Sequence, residues 1–300
     1  MAFLEAQGLS KSFTTPKGTR HILRDVSLAV ELGEFVSIVG VMGSGKSTLL
    51  SLLAGLTVAD AGTITIGGEP SRGIRSDSAF VFQNYSLLPW FTALENVRLA
   101  VEAAFPSMSK PEQRDHAAQT LNRVGLGNAL QKRPRQLSGG MRQRVAIARA
   151  FATKPKVLFM DEPFGALDAL TRETLQQDLA SLCAGTAGDG TEPVTTVMIT
   201  NSVEEAILLS DRIVPILSGP PLDVARDSGR VVGPSPATLG TPIPVELSRP
   251  RSVAQLAHEE QATQVRATVV STLTASMGRR KSATQSAPTA QALEAAEETR

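Results

Sequence analysis

The sequence has one cysteine, few aromatic residues and no long apolar run, and each of these scarcities excludes a class of protein. The single thiol, Cys183, rules out an intramolecular disulfide framework, and as a small apolar side chain it is expected in the core. No stretch reaches the ~18 uninterrupted apolar residues of a membrane-spanning helix, and Glu5 interrupts the apolar run that a signal peptide needs. We therefore expect a chain that neither spans a membrane nor carries a signal peptide.

The sequence also lacks an excess of charge of either sign. Its 300 residues include 30 basic and 29 acidic side chains, which gives a formal net charge of +1. Proteins that bind nucleic-acid backbones need clustered Lys and Arg, and no such cluster stands out here. The composition therefore predicts no general attraction to nucleic acid or to anionic lipid, and the length allows one large domain or two modest ones.

Short apolar runs of strand length alternate with helical patterns along the chain. The predicted strands are 34–39, 63–66, 79–82, 157–160 and 196–200, and the predicted helices are 47–53, 94–104, 109–124, 140–152, 169–182 and 203–210. Several of these strands are continuously apolar, which is typical of a parallel sheet covered on both faces. The alternation predicts an α/β fold, with a mainly helical block from about Thr92 to Gln136.

A phosphate-loop pattern lies between the first predicted strand and the first predicted helix. It consists of Gly40, Val41, Met42, Gly43, Ser44, Gly45, Lys46 and Ser47, followed by Thr48. The glycines let successive backbone amides converge on a phosphate, and the helix amino terminus adds partial positive charge. Lys46 would reach the β- and γ-phosphates, and the Ser47 hydroxyl would bind Mg²⁺, so the pattern predicts nucleotide binding.

Two carboxylates, Asp161 and Glu162, follow an apolar run that ends at Met160. Open α/β sheets bind ligands at the carboxyl ends of their strands. Asp161 suits Mg²⁺, and Glu162 suits orienting or deprotonating a water that attacks the γ-phosphate. Two acids at a strand end can also be no more than a solvated terminus, but together with the phosphate loop they indicate a hydrolase site.

The run LSGGMRQR, residues 137–144, lies between these two motifs. With Ser138, Gly139 and Gly140 it closely resembles the signature motif of ATP-binding cassette (ABC) proteins. The alternative is that Ser138 only caps a helix and that the glycines only make a turn. The resemblance implies an α/β, P-loop NTPase (RecA-like) core with an antiparallel β subdomain and a helical subdomain.

Three further elements of the ABC family occur in the family's order. Gln83 follows a predicted strand, like the glutamine that senses Mg²⁺ and the attacking water. Residues 166–168, ALD, match the loop that crosses between two subunits. Phe13 occupies the position where an aromatic ring stacks on adenine, although it could instead be a core residue.

The resemblance further implies how two such subunits would share their sites. They would pair head to tail around two ATP molecules, with Mg²⁺ bound near Ser47, Gln83 and Asp161. Ser138 and Gly140 of one subunit would cover the γ-phosphate held by the other. The second subunit could be a copy of this chain or a different cassette.

The segment FQNYSLLPW, residues 82–90, looks most like the importer subunits that serve nitrate, sulfonate, taurine or bicarbonate, and residues 210–215 and 237–240 favour the nitrate branch. The resemblance implies an ATP-hydrolysing, energy-coupling subunit of a bacterial importer for a small anion. Nitrate is the first expectation, and sulfonate or taurine, or bicarbonate, is the alternative.

That importer subunit would lie peripherally on the cytoplasmic face of the inner membrane. Its partners would be integral membrane permease subunits and, indirectly, a periplasmic or lipid-anchored solute-binding protein. Leu88, Pro89 and Trp90 would be exposed and contact the permease, or else form a satellite core beneath the helical block. A soluble ABC protein acting on nucleic acid or the ribosome is disfavoured, because only 92 residues separate Lys46 from Ser138, too few for the long inserted coiled coil that such proteins often carry.

Asn201 departs from the pattern, because the ABC family ordinarily has a histidine there that contacts the γ-phosphate. An asparagine amide can donate a hydrogen bond, but it is shorter and carries no proton charge. Residues 202–205, SVEE, form a capping-box pattern that should preserve the turn. Asn201 is therefore either a catalytic residue, in a subunit that hydrolyses ATP weakly and completes a partner's site, or only a turn former.

Composition changes towards the end of the chain. All aromatic residues lie at or before Phe164, and residues 271–300 contain almost no large apolar side chain. We therefore expect an ABC ATPase domain over residues 1–218, with its helical subdomain at about 92–150, a C-terminal extension over 219–270 and a disordered tail over 271–300. A closing helix over residues 289–298 is the alternative for the end of that tail.

Overall fold

The computed structural model describes residues 2–16, 18–185, 192–219 and 235–285. Its strands are β1 (Leu4–Thr15), β2 (Gly18–Val30), β3 (Phe35–Val39), β4 (Ala61–Ile66), β5 (Glu69–Pro70), β6 (Ser78–Val81), β7 (Val157–Asp161), β8 (Thr195–Thr200), β9 (Arg212–Ser218), β10 (Ala237–Leu239) and β11 (Ile243–Pro244). Its α-helices are α1 (Lys46–Leu53), α2 (Ala93–Ala104), α3 (Lys110–Arg123), α4 (Gly139–Phe151), α5 (Ala169–Ala184), α6 (Val203–Leu209), α7 (Val253–Leu256) and α8 (Glu260–Gln285).

A parallel sheet with the strand order β9-β3-β8-β7-β6 forms the centre of the fold. Successive residues of β3 alternate between two cores: Val36 and Ile38 pack with the leucines of α1, while Phe35 and Val39 pack with the helical block. Both faces of the sheet are therefore apolar, which explains why its strands read as unbroken apolar runs. The strands and helices predicted from these patterns are all present, with bounds that differ by one or two residues.

Two long antiparallel strands, β1 and β2, pair with each other and extend the sheet beyond β9. Strand β4 joins the free edge of β1, and the short β10 lies between β2 and β9. Sequence patterns did not predict β1 and β2, because β-bulges interrupt their alternation of buried and exposed side chains. Their pairing forms the antiparallel β subdomain that the family resemblance implied.

Helices α2, α3 and α4 pack together as the helical block, on the face of the sheet opposite α1. Capping boxes begin two of them: Thr92 with Glu95 starts α2, and Ser109 with Glu112 starts α3. The second was predicted from the sequence. Each box satisfies two otherwise unpaired backbone amides, which fixes where the helix begins.

The prediction of a disordered tail over residues 271–300 is wrong for its first part, because α8 continues to Gln285. The amino-terminal half of α8 is anchored in the core through the buried side chains of Ala262 and Val269, with Leu273 packed beside them. This burial lets the Ala-, Thr- and Gln-rich remainder propagate as a helix, since propagation costs far less than nucleation. The alternative helix at residues 289–298 lies outside the described residues.

Arg251 ties the chain that follows β11, here called the C-terminal segment, to α6. Its guanidinium donates hydrogen bonds to the backbone oxygens of Ile207 and Ser210, at 2.8 and 2.6 Å, and to those of Val245 and Leu247, at 2.9 to 3.2 Å. Burial lowers the pKa of Arg251 to about 10, and the positive charge of Arg249 acts in the same direction. At neutral pH Arg251 remains a cation that holds four carbonyl groups from two chain segments.

No helix in the described parts of the chain is both long enough and apolar enough to span a membrane.

Replacing Arg251 with methionine should lower the free energy of unfolding by about 3 kcal/mol, because buried carbonyl groups would lose their charged donor. Urea unfolding followed by circular dichroism measures this change. Arg135→Met, at an exposed position of the helical block, is the matched control and should leave the midpoint unchanged. Equal midpoints for the two variants would show that Arg251 does not stabilise the fold.

Cys183 should resist alkylation in the folded protein. Its side chain is 3% exposed, and burial raises the pKa of the thiol to about 12, so the reactive thiolate is scarce at any lower pH. With iodoacetamide at pH 8, mass spectrometry should find no adduct on the native chain and one adduct after denaturation in urea. Rapid labelling of the native chain would contradict the burial of this residue.

Candidate functional site

The phosphate loop, Gly40–Ser47, connects the end of β3 to the start of α1. A Cβ atom at Gly40 would lie 2.3 Å from Cγ2 of Ile216, so only glycine lets the loop pass this close to β9. The hydroxyl of Ser44 is buried and has no hydrogen-bond partner among the described residues. An orphan donor at a helix amino terminus fits a phosphate oxygen, which is the group that this loop is predicted to hold.

Lys46 is the first residue of α1, and its side chain is 4% exposed. Its Nζ donates to the backbone oxygens of Gly40 at 2.9 Å and Val41 at 3.0 Å, and to Oδ1 of Asn201 at 2.7 Å. Burial lowers the pKa of Lys46, while the nearby carboxylates of Glu162 and Asp161 act to raise it. The ammonium group is therefore held by acceptors that a phosphate oxygen could replace.

The remaining loop residues differ in their exposure. Met42 is 86% exposed and Gly43 is also exposed, whereas Thr48 is half-buried in the first turn of α1. Gly45 precedes α1 in the left-handed conformation, with φ at +96°. The exposed residues and the left-handed Gly45 leave space beside the loop. The unpaired backbone amides in the first turn of α1 can donate to a ligand there.

Ser47 and Asp161 meet at the ends of α1 and β7. The hydroxyl Oγ of Ser47 lies 3.4 Å from Oδ1 of Asp161 and donates to it. Burial raises the pKa of Asp161, an effect that the Ser47 hydrogen bond opposes and the charge of Glu162 reinforces. A hydroxyl and a carboxylate are hard oxygen ligands, which Mg²⁺ prefers. Mg²⁺ typically takes one or two such protein ligands and completes its shell with waters and substrate phosphates.

Glu162 lies directly after β7 with φ at +43°, a left-handed conformation that is uncommon for a residue with a side chain. Its backbone amide donates to the Ile199 oxygen at 3.0 Å, which holds the residue against β8. Oε2 of Glu162 accepts from Nε2 of Gln83 at 3.3 Å, and Oε1 accepts from Nδ2 of Asn201 at 2.5 Å. Glu162 therefore has an unusual backbone conformation at the position where its carboxylate accepts hydrogen bonds from two side-chain amides.

Asn201 connects the two charged groups of this site. One end of its amide accepts from Lys46, and the other end donates to Glu162. An amide can do both at once because it carries an acceptor oxygen and a donor nitrogen. Asn201 therefore contacts the predicted catalytic Glu162 and the phosphate-loop Lys46 directly, in addition to its position at a turn.

Glu205 belongs to this region although the sequence assigned it only a capping role. Ser202 caps α6 by accepting from the Glu205 amide at 3.2 Å, as predicted. The reciprocal half of the predicted capping box is wrong: the Glu205 carboxylate accepts from the Thr200 hydroxyl at 2.6 Å, and that hydroxyl in turn accepts from the Ser202 amide at 3.0 Å. Burial raises the pKa of Glu205, and its bond with Thr200 opposes this.

Arg172 connects Glu205 to the loop at residues 166–168. Its Nη2 donates to the Leu167 oxygen at 2.9 Å, and its Nε lies 3.9 Å from Oε1 of Glu205. Thr200 and Arg172 were not identified from the sequence. The available signal was an acid five residues beyond a strand end within an apolar helical pattern, because an acid that becomes buried there requires a partner.

Ser138, Gly139 and Gly140 begin α4, away from the phosphate loop. Ser138 is exposed and caps the helix by accepting from the Met141 amide at 3.2 Å. A Cβ atom at Gly140 would lie 2.2 Å from Cγ2 of Thr171, so glycine permits the close packing of α4 against α5. Among the described residues no hydrogen bond joins Ser138, Gly139 or Gly140 to the phosphate loop.

Phe13 lies near the end of β1 and is 44% exposed, so it is not a core residue. The ammonium of Lys11 lies 5.4 Å from the centre of its ring. Half of the aromatic ring is therefore accessible, as stacking on a base requires.

The segment 84–90 is held in shape by two polar side chains. The amide of Asn96, which is buried, accepts from the Leu88 amide at 2.8 Å and donates to three backbone oxygens, including that of Leu88. Arg149 donates to the Tyr85 and Ser86 oxygens at 2.9 and 2.5 Å. Trp90 is 63% exposed and Pro89 is exposed, but Leu88 is half-buried, so the expectation that it is exposed is wrong.

Comparison with known proteins shows the family to which the chain belongs. The ABC transporter family model matches residues 23–165. The chain is 42% identical over 264 residues to the nitrate import ATP-binding protein NrtD of Synechococcus elongatus, covering 88% of this chain and 89% of that protein. It is 43% identical over 225 residues to the bicarbonate transport ATP-binding protein CmpD of Synechocystis, covering 75% and 78% of the two chains.

A solved structure resembles the fold as well. It is the dimeric structure of a post-hydrolysis state of an ATP-binding cassette bound to ADP and Pi, with a TM-score of 0.63 and 34% identity over 71% of this chain and 93% of that chain. Together with the order of motifs along the sequence, these similarities show that the chain belongs to the ABC transporter family, among its ATP-binding proteins.

Proposed function

We propose that the chain is the ATP-hydrolysing, energy-coupling subunit of a bacterial ABC importer for a small anion, with nitrate as the substrate. The observation that carries this proposal is the meeting of Lys46, Ser47, Asp161, Glu162 and Asn201 at one edge of the parallel sheet. That edge is the carboxyl end of the strands, where open α/β sheets bind their ligands.

The residues at this edge divide between binding and chemistry. The backbone of residues 40–45 and the ammonium of Lys46 bind the β- and γ-phosphates, and the exposed ring of Phe13 stacks on the base. Ser47, Asp161 and Gln83 hold Mg²⁺, which when bound neutralises charge that develops on the phosphate oxygens.

Glu162 acts on the attacking water. Its carboxylate orients the water and accepts its proton, while Gln83 positions the water from the neighbouring strand end. Asn201 donates to Glu162 and so orients the base, and its contact with Lys46 links that base to the γ-phosphate position. The left-handed backbone of Glu162 holds the carboxylate against the amides of Gln83 and Asn201.

A second subunit completes each site. Ser138 is exposed and, with Gly139 and Gly140, makes no hydrogen bond to its own phosphate loop among the described residues; in a dimer these residues would cover the γ-phosphate of a partner. The similar cassette of known structure is dimeric, which supports this arrangement. The partner is a second copy of this chain or another cassette.

The importer assignment rests on the relatives and on the segment 84–90. The nitrate import relative is matched over 88% of this chain and 89% of its own length, whereas the bicarbonate relatives CmpD and CmpC are matched over 78% and 37% of theirs, which favours nitrate. Exposed Pro89 and Trp90, on a segment fixed by Asn96 and Arg149, form the contact with an integral membrane permease. The subunit then lies peripherally on the cytoplasmic face of the inner membrane, and a solute-binding protein delivers the anion to the permease.

The substrate is tested by reconstituting the chain in vesicles with the permease and binding protein encoded beside its gene. Nitrate should stimulate ATP hydrolysis several-fold, and bicarbonate or taurine should not. Stimulation by bicarbonate alone, or by taurine alone, would replace nitrate while leaving the importer function intact.

Replacing Glu162 with glutamine should lower the rate of ATP hydrolysis by at least about 100-fold, because the general base is lost. ATP should remain bound, and light scattering should detect a larger fraction of dimer in its presence. Glu69→Gln, at an exposed position of β5, is the control and should hydrolyse ATP normally. Unchanged turnover in Glu162→Gln would remove Glu162 from this role.

Replacing Asn201 with histidine should raise turnover of the purified chain about tenfold, if the asparagine limits hydrolysis in a homodimer. Asn128→His, exposed in a short 3₁₀ helix, makes the same chemical change far from the site. Equal turnover for the wild type and Asn201→His would show that Asn201 does not weaken hydrolysis, and that no histidine-bearing partner is needed.

A further inference from the structure

A cavity of about 600 Å³ lies between α5, α6 and the segment at residues 249–255. This volume is within the range of sites that bind small molecules. None of the predicted catalytic residues lines it, and neither does any residue of the phosphate loop or the signature motif. The cavity is therefore separate from the nucleotide site.

The wall formed by α5 contributes a polar group without a partner. Gln176 is 4% exposed, it borders the cavity, and its side chain makes no hydrogen bond to any residue in the described parts of the chain. Gln143 also has an unpaired amide, but its polar atoms are fully buried and it does not border the cavity. A buried amide that faces a cavity is satisfied when the cavity holds a hydrogen-bonding ligand.

The opposite wall contains two arginine side chains, one of which is paired with the Asp211 carboxylate. Arg249 and Arg251 both border the cavity, and no acidic residue lines it. Arg251 is engaged by backbone carbonyls, whereas the described contacts of Arg249, with the Leu209 oxygen at 2.7 Å and Asp211 at 2.8 Å, both use its Nη2 atom. A guanidinium carries five N–H donors, so Arg249 can bind an anion while keeping these contacts.

The rest of the lining is mainly apolar. Ala180, Leu208, Leu209 and Pro250 supply hydrocarbon surface between the two polar walls. A ligand that fits must therefore combine an anionic, hydrogen-bonding head with an apolar body. An inorganic anion would leave this apolar surface uncovered, and a neutral apolar molecule would leave Gln176 unsatisfied.

We propose that this cavity is a binding site for a small organic carboxylate. The carboxylate group lies between the Arg249 guanidinium and the Gln176 amide, with one oxygen accepting from each, and the apolar body packs against Leu208, Leu209 and Pro250. Arg172 of α5 and Glu205 of α6 connect Leu167 to Thr200, so the ligand contacts both helices that carry this connection.

Fluorine NMR of 4-(trifluoromethyl)benzoate with the full-length chain tests the proposal. Saturable binding of the carboxylate is expected, and 4-(trifluoromethyl)benzyl alcohol, which lacks the charge, should bind at least about tenfold more weakly. Gln176→Leu and Arg249→Met should each weaken carboxylate binding by about tenfold, without changing the affinity for ATP.

Two matched variants control for the chemical changes themselves. Gln119→Leu and Arg114→Met make the same replacements at exposed positions of α3 and should bind the carboxylate like the wild type. Circular dichroism checks that each variant is folded. If Arg249→Met does not fold, Gln176→Leu alone tests the site. The proposal is overturned if binding does not saturate, if the alcohol binds as well as the carboxylate, or if Gln176→Leu binds with wild-type affinity.

Discussion

The burial of both faces of the parallel sheet is the constraint on which the rest of this structure depends. A one-residue shift of β3 against β8 would exchange the side chains that face the two cores, so the apolar pattern permits a single register. In that register Val39 pairs with Thr200, and Asp161 pairs with Ile199. The polar residues that follow each strand therefore arrive at the same edge, and the site forms because the core is packed correctly.

At that edge a single amide connects a cation and an acid. Asn201 accepts from Lys46 and donates to Glu162, so the position where related proteins are expected to carry histidine is still part of the hydrogen-bond network. Behind it, the Thr200 hydroxyl and the Glu205 carboxylate fix the turn, and Arg172 links Glu205 to Leu167. In the proposed function this network would connect the γ-phosphate position to the loop at residues 166–168.

The C-terminal segment is attached to the ATPase core by charge as much as by apolar packing. Arg251 holds carbonyl groups of α6 and of the segment itself, and Arg249 pairs with Asp211 at the start of β9. Buried arginines of this kind position chain segments accurately because a guanidinium presents donors in a fixed plane. The same two residues form one wall of the cavity, so the attachment of the segment and the proposed ligand site share their chemistry.

The sequence by itself determined the phosphate loop, the strand-end acids, the signature motif, strands β3, β4 and β6 to β8, and helices α1 to α6, because each depends on neighbouring residues and a local period. It also identified Asn201 as a departure, through its place in the order of motifs. Only the tertiary structure decided that Asn201 bridges Lys46 to Glu162, that Thr200 binds Glu205, and that α8 packs on the core. Lys46 and Asn201 are 155 residues apart. A contact across that separation follows from strand register and packing, which no local pattern in the sequence encodes.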